Sequence, residues 1–240
     1  MTLLTLTTWF ALGTAGMALG TILLAWGYTQ LPDQPRRAYL ELIAVTLIAT
    51  VAYGLMALDI GAVETARGAT LYVPRYVDWL LTTPLHVLYI GWLAGAERTT
   101  LGKLVTLQAA TIVLGFVGAM VGIPLNFVFF AVGAAVFGVL VYLFYGEVAQ
   151  MARQQDDRRL SLYRKLRNFV VVLWLVYPII WLLSGPGFGL MGLETSSLVI
   201  TYIDVVAKVG FGLIAFNDLQ TVFGTASEQE RAERTPSAAD

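Results

Sequence analysis

Composition, hydropathy and the placement of basic residues point to an all-α bundle of seven transmembrane helices. Of 240 residues, 58% are hydrophobic and only 13% charged, about half the charged share of an ordinary soluble domain, with a mean hydropathy of +0.72. Apolar segments recur seven times, at about 3–27, 38–58, 73–95, 101–121, 126–146, 165–184 and 195–222, each close to the roughly 20 residues that cross a hydrocarbon core. Basic residues collect in every second link. The links are short, so the segments form one domain, 1–223, followed by a polar tail, 224–240, expected to be disordered.

The first segment follows Met1 without a basic leader, so a cleaved signal is not expected. Arg36 and Arg37 lie between the first and second segments, and Arg98 and Lys103 flank the link between the third and fourth. Arg153, Arg158, Arg159, Arg164, Lys165 and Arg167 border the fifth–sixth link, and Arg231 and Arg234 lie in the tail. These twelve fall on one side of a seven-span chain; Arg67 alone falls in a loop on the other, and Arg75 and Lys208 lie within spans. The positive-inside rule then places the N-terminus outside and the tail in the cytoplasm of a multi-pass plasma-membrane protein. The basic stretch Arg153–Arg167 is first a topology signal toward the lipid surface and second a docking site for a cytoplasmic partner. A net charge of −1 argues against nucleic acid, and zero cysteines exclude disulfides and thiolate metal sites. No site for ATP, a metal or a soluble substrate is evident, so an enzyme is not expected.

The third segment is the most polar. Arg75, Asp78, Thr82, His86 and Tyr89 are spaced three, four, four and three apart, one helical stripe that a membrane helix turns toward the bundle interior. Pro84 frees a backbone carbonyl, which Thr82 or Thr83 can help to satisfy. His86, the only histidine, is expected to be either a neutral, hydrogen-bonded interior group or a group that perturbs the bound ligand or proton return. The sixth segment carries Trp174, Tyr177 and Trp181 at helical spacing around Pro178, and Trp79 adds a flat ring on the third.

The seventh segment holds Lys208 one turn after Asp204 in an otherwise apolar run. An intramembrane amine costs about 2.5–3.5 kcal/mol on insertion scales, and burial eases loss of its proton, which suits it to attack a carbonyl and form a Schiff base. With 1.5 Å of rise per residue, Asp78 lies about 7 Å below the start of its span, Lys208 about 19 Å into the last span, and Asp204 about 6 Å nearer the outer face. Both carboxylates therefore lie outward of the amine. A structural ion-pair cluster that fixes helix register is the plain alternative; with the aromatic face, the set points to a pocket for a long, flat, apolar ligand held as an imine.

Arg75-Tyr-Val-Asp-Trp-Leu-Leu-Thr-Thr-Pro84, Trp174-Leu-Val-Tyr-Pro-Ile-Ile-Trp181 and Asp204-Val-Val-Ala-Lys-Val-Gly-Phe211 resemble the third-, sixth- and seventh-helix motifs of the microbial rhodopsins of the haloarchaeal branch. The resemblance covers all seven spans. It implies all-trans retinal bound as a protonated Schiff base on Lys208, with Asp78 and Asp204 as counterions, Asp78 the primary proton acceptor, and Arg75, Tyr53 and Thr82 in the counterion network. It further implies a retinal pocket of Trp79, Thr83, His86, Phe130, Gly133, Phe137, Trp174, Tyr177, Trp181 and Ala207, with Tyr76 a further support.

Pumps of this family carry a proton-donating acid on the third helix where this chain has Tyr89, and a phenol near pKa 10 is a poor donor. The family's extracellular glutamate pair is replaced by Pro186 and Ser196, with Glu194 out of register. Phe130, Gly133 and Phe137 lean toward sensory rhodopsin II and a blue-shifted absorber, and Tyr202 matches the tyrosine by which that protein contacts its transducer. Ala207 departs from the sensory pattern, which has threonine there, and resembles pumps and the intermediate middle rhodopsins. The resemblance therefore implies a slow retinal photoreceptor signalling phototaxis through a two-helix membrane transducer. The alternative is a slow outward light-driven proton pump, and a non-photochemical seven-span receptor or transporter is a third class. The lipid bilayer is the remaining partner, and a homo-oligomer is compatible with these residues.

Overall fold

The structure, a computed structural model, describes residues 6–31 and 33–219. Helices α1 (Leu6–Gln30) and α2 (Asp33–Ala57) pack against each other as a pair. Next comes a two-stranded hairpin, β1 (Ala62–Glu64) and β2 (Thr70–Tyr72), antiparallel with Val63 opposite Leu71. Helices α3 (Val73–Leu93), α4 (Arg98–Met120) and α5 (Leu125–Tyr145) follow, then a short α6 (Glu147–Ala152). Helices α7 (Asp157–Trp174) and α8 (Val176–Leu183) make the sixth span, broken at Leu175, three residues before Pro178. The last span is α9 (Leu193–Val205), a π-helical turn over Val206–Gly210, and further helix over 211–219. The expected tail, 224–240, lies outside the described residues.

Six of these segments are individually long and apolar enough to cross a membrane. The seventh, α3, carries the polar stripe that lowers its apolarity and is enclosed by its neighbours: twelve of its residues are buried, Arg75, Asp78 and His86 among them. Sequential helices pack side by side, α9 returns against α1 to close the ring, and α3 reaches across to α7. The outer surface is apolar, with Leu19, Ile22, Trp26, Val172 and Ile179 all more than half exposed, as a lipid-facing surface requires.

Two features depart from the expected outline. The hairpin interrupts the all-α pattern; Gly61 and Gly68 adopt positive φ of 83° and 71°, and a side chain at Gly61 would come within 2.6 Å of the Pro74 ring. Thr65 Oγ1 accepts from the amides of Arg67 and Ala69, closing the turn. The sixth span begins at Asp157 rather than 165, because Asp156 caps it by accepting from the amides of Arg158 and Arg159 at 3.1 and 2.9 Å. The basic run from Arg158 to Arg167 is therefore the first turns of a helix, not a loop.

Helix α1 meets its neighbours through glycine. A Cβ on Gly13 would lie 2.3 Å from Tyr53 Cδ1 and 2.9 Å from Thr201 Cγ2, and one on Gly20 would lie 2.3 Å from Val209. Gly13→Ala is expected to destabilise the bundle by about 1–3 kcal/mol through overpacking against a ring that cannot move aside. Thermal unfolding followed by circular dichroism measures the loss, and an unchanged midpoint would refute it.

Candidate functional site

Helix α3 carries Pro74 in its first turn, where the missing N–H costs nothing, and runs its stripe down the bundle. Arg75, Asp78, Thr82, His86 and Tyr89 are all buried. The Thr82 and Thr83 hydroxyls donate to the carbonyls of Asp78 and Trp79, each at 2.7 Å. They thus bind the turn preceding Pro84, which keeps both hydroxyls satisfied within an apolar neighbourhood.

Lys208 lies in the π-helical turn and is 3% exposed; its amine donates to the carboxylate of Asp78, which is fully buried. π-turns recur at functional sites. Although four residues apart, Asp204 and Lys208 do not pair. Asp204 instead accepts from the Tyr53 hydroxyl at 2.7 Å, the Trp79 indole at 3.2 Å and the Tyr177 hydroxyl. One carboxylate is thus neutralised by a cation and the other by three neutral donors, the pairing that buried charge requires. Arg75 does not reach either carboxylate: its guanidinium donates to Ser197 Oγ at 3.4 Å and stands 5.4 Å from the Phe10 ring centre. The sequence-level balance of two cations against two carboxylates is therefore one direct pair plus two groups held by other means.

Lys208 opens into an apolar cavity of about 420 Å³, within the range of small-molecule sites. All ten expected pocket residues line it: Trp79, Thr83, His86, Phe130, Gly133, Phe137, Trp174, Tyr177, Trp181 and Ala207. Phe130 stacks on Trp181 at 4.8 Å, and Trp79 meets Tyr177 edge-on at 5.2 Å. Tyr76 lines it too, packed between Trp79 and Phe116. Asp78 and Tyr53 lie behind this wall, bonded to its members Lys208 and Asp204, and Thr82 bonds the Asp78 carbonyl. The His86 ring turns toward the Thr82 backbone one helical turn earlier without closing a well-formed hydrogen bond, and it packs edge-on against Phe211 at 4.6 Å. Tyr202 points away from the cavity and is 70% exposed on the outer face of α9.

Several site features were not foreseen. Gln108 on α4 is buried and donates to Thr83 at 2.8 Å; a lone glutamine in an apolar span was the available signal. The hairpin covers one end of the cavity. Arg67, the sole basic residue of the sparse side, donates to the carbonyls of Gly185, Pro186 and Gly187, and Asn126 donates to Pro186 at 2.9 Å. Beside it, burial and a hydrogen bond to Asp59 push the Tyr72 phenol up to about 12, so it stays neutral there.

Residues 4–222 match the family described as bacteriorhodopsin-like protein. The chain belongs to that family. It is 54% identical to sensory rhodopsin-2 of Haloarcula vallismortis over 93% of this chain and 96% of that protein, and 42% identical to sensory rhodopsin-2 of Natronomonas pharaonis over 90% of each. Its fold is similar to that of thermophilic rhodopsin from Rubrobacter xylanophilus, with a TM-score of 0.87 and 31% identity over 90% of this chain and 96% of that one. It is a multi-pass membrane protein of a photoreceptor family rather than an enzyme, and proteins of this family bind retinal through a Schiff-base lysine. The residues present fit that cofactor: one buried amine opens into an aromatic-walled cavity with a carboxylate at the nitrogen.

Proposed function

We propose that this chain is a slow retinal photoreceptor, with residues 1–223 as the light-sensing unit. Retinal, when bound, supplies visible absorption and a light-driven change of shape at a protonated nitrogen. Lys208 is the attachment point and Asp78, in contact with its amine, holds the positive charge and receives the proton. Asp204, held by Tyr53, Trp79 and Tyr177, is the second counterion and stays fixed while Asp78 changes charge. Arg75 and Thr82 complete the polar network around them. The basic residues support an orientation with the hairpin end and N-terminus outside, so the proton moves outward from Lys208 to Asp78.

The observation that carries the sensor reading is Tyr89. It occupies the far end of the α3 stripe, fully buried, where no carboxylic acid on that helix can return a proton quickly. A long-lived light-activated form serves signalling, and the exposed Tyr202 on α9 offers a contact for a two-helix transducer in the bilayer. The kinship with two sensory rhodopsins supports the same reading. Ala207 and the retained Asp78 favour slow outward pumping as a second reading.

Flash photolysis with simultaneous pH recording, in vesicles with and without a transducer, tests both. Slow recovery, weak net transport and co-purification that is lost in Tyr202→Ala are the expected results. Millisecond turnover with vigorous transport would establish the pump instead.

A further inference from the structure

On the side of Lys208 away from the hairpin, His86, Tyr89, Tyr39 and Glu41 hold buried polar atoms that make no well-formed hydrogen bond. They are both ring nitrogens of His86, the hydroxyls of Tyr89 and Tyr39, and one carboxyl oxygen of Glu41. Buried polar groups are almost always partnered, by ordered water where the protein supplies nothing, and hydrocarbon surroundings make the requirement stricter.

These four side chains lie on neighbouring helices of the same half of the bundle. His86 lines the cavity that Lys208 enters, and Tyr89 follows about 4.5 Å further along α3. Phe211 packs edge-on against both rings, at 4.6 and 5.7 Å. Tyr89 lies within electrostatic reach of Tyr39 and Glu41 on α2, Arg159 on α7 and Asp218 near the end of the last span. The hydroxyl of Tyr39 occupies space that a side chain at Gly27 of α1 would take. Toward the membrane surface, Arg37 faces Glu41, Arg36 stands over Tyr28 of α1, Lys165 pairs with Asp218, and Arg159 donates to the Trp92 carbonyl. Glu41 is the acid of this group, and the cations at the rim are engaged with other partners or stand beside it.

We propose that Glu41, Tyr39, Tyr89 and His86 form a hydrated proton-return path to the Lys208 nitrogen, with Glu41 as the donor in place of an acid on α3. The path rests on the photoreceptor reading above. Glu41 releases one proton to the water and hydroxyl file. Tyr39 and Tyr89 each pass one on and take one back, and His86 accepts at one ring nitrogen as it gives up the proton on the other. The net change is one O–H bond broken at Glu41 and one N–H bond formed at Lys208. Solvent at the near surface then reprotonates Glu41.

Flash photolysis of the retinal-loaded full chain in lipid nanodiscs tests the path from mildly acidic to mildly alkaline pH. In the unaltered protein the visible band recovers at a rate nearly independent of bulk pH at the acidic end of that range. In Glu41→Gln, recovery at neutral pH slows about 10-fold or more, becomes proportional to bulk proton concentration, and is restored by a small permeant acid. Tyr89→Phe keeps the ring packing and slows recovery several-fold. An independent dark readout is the infrared O–H stretch of weakly bonded water, identified with isotopically labelled water and lost in Tyr39→Phe/Tyr89→Phe. Recovery unchanged in rate and pH profile in both Glu41→Gln and His86→Leu overturns the path and leaves the photoreceptor reading intact. An unaltered chain that forms no visible band with retinal overturns that reading and the path with it.

Discussion

Lys208→Ala protein mixed with all-trans retinal is expected to develop no visible absorption band, whereas the unaltered protein develops one. The effect is complete rather than graded, because the residue supplies the one primary amine among the lining side chains: Gln108, His86, Arg75 and the tryptophans offer amide, ring and guanidinium nitrogens that do not form an imine. The amine also pairs with Asp78, which is fully buried. Removing one partner of a buried pair leaves an uncompensated charge and costs about 3–5 kcal/mol, so the alanine variant is expected to lose stability as well. The two effects separate in Lys208→Ala/Asp78→Asn, which regains stability without regaining colour. Circular dichroism and an absorption titration with retinal check them side by side, and a visible band in the alanine variant would displace Lys208 as the attachment point.

Asp78→Asn carries the second largest effect. Asparagine keeps the volume of the buried side chain and removes the negative charge that touches the Lys208 amine. The remaining carboxylate, Asp204, already accepts from Tyr53, Trp79 and Tyr177, so its charge is partly spent on fixed donors and it does not contact the amine. A carboxylate at the nitrogen end localises the positive charge there in the resting state and thereby widens the optical gap. Its removal moves the absorption maximum to longer wavelength. Light-driven proton transfer falls by a factor of about 10² or more, as expected when the positioned acceptor is lost. Absorption spectra and a pH-indicator dye in vesicles measure both. A variant that keeps its colour and its proton signal would make Asp204 the acceptor.

Much of the site was legible in the sequence because membrane burial makes polar residues conspicuous. Lys208, Asp78, Asp204 and Arg75 stand out in spans that are otherwise apolar, and the stripe from Arg75 to Tyr89 follows from helical spacing alone. The ten pocket residues came from motif resemblance, and the cavity contains them all. What spacing could not give is who pairs with whom. Asp204 and Lys208 are one turn apart and look like a pair, yet each finds its partners on other helices. Spacing left His86 open between an interior histidine and a group acting on the ligand; its ring neighbours, Phe211 and Trp174, appear only in the packed bundle. The hairpin was missed because strands of three residues carry almost no periodic signal, and Arg67 had no visible role until the loop that it clamps was placed beside it.

Residue order alone is enough to tell that this chain crosses a bilayer repeatedly and holds a buried amine between two acids and a set of flat rings. Hydropathy and helical period are local properties, and the cost of an intramembrane charge leaves few places for one. It took the packed bundle to show that Lys208 binds Asp78, that Asp204 is held by two phenols and an indole, and that His86, Tyr89, Tyr39 and Glu41 keep buried polar atoms without a well-formed hydrogen bond. Those contacts join residues more than a hundred positions apart or on different helices. Helix rotation and the close approach of α1 through Gly13 and Gly20 set them, and neither is written in the period of a single span.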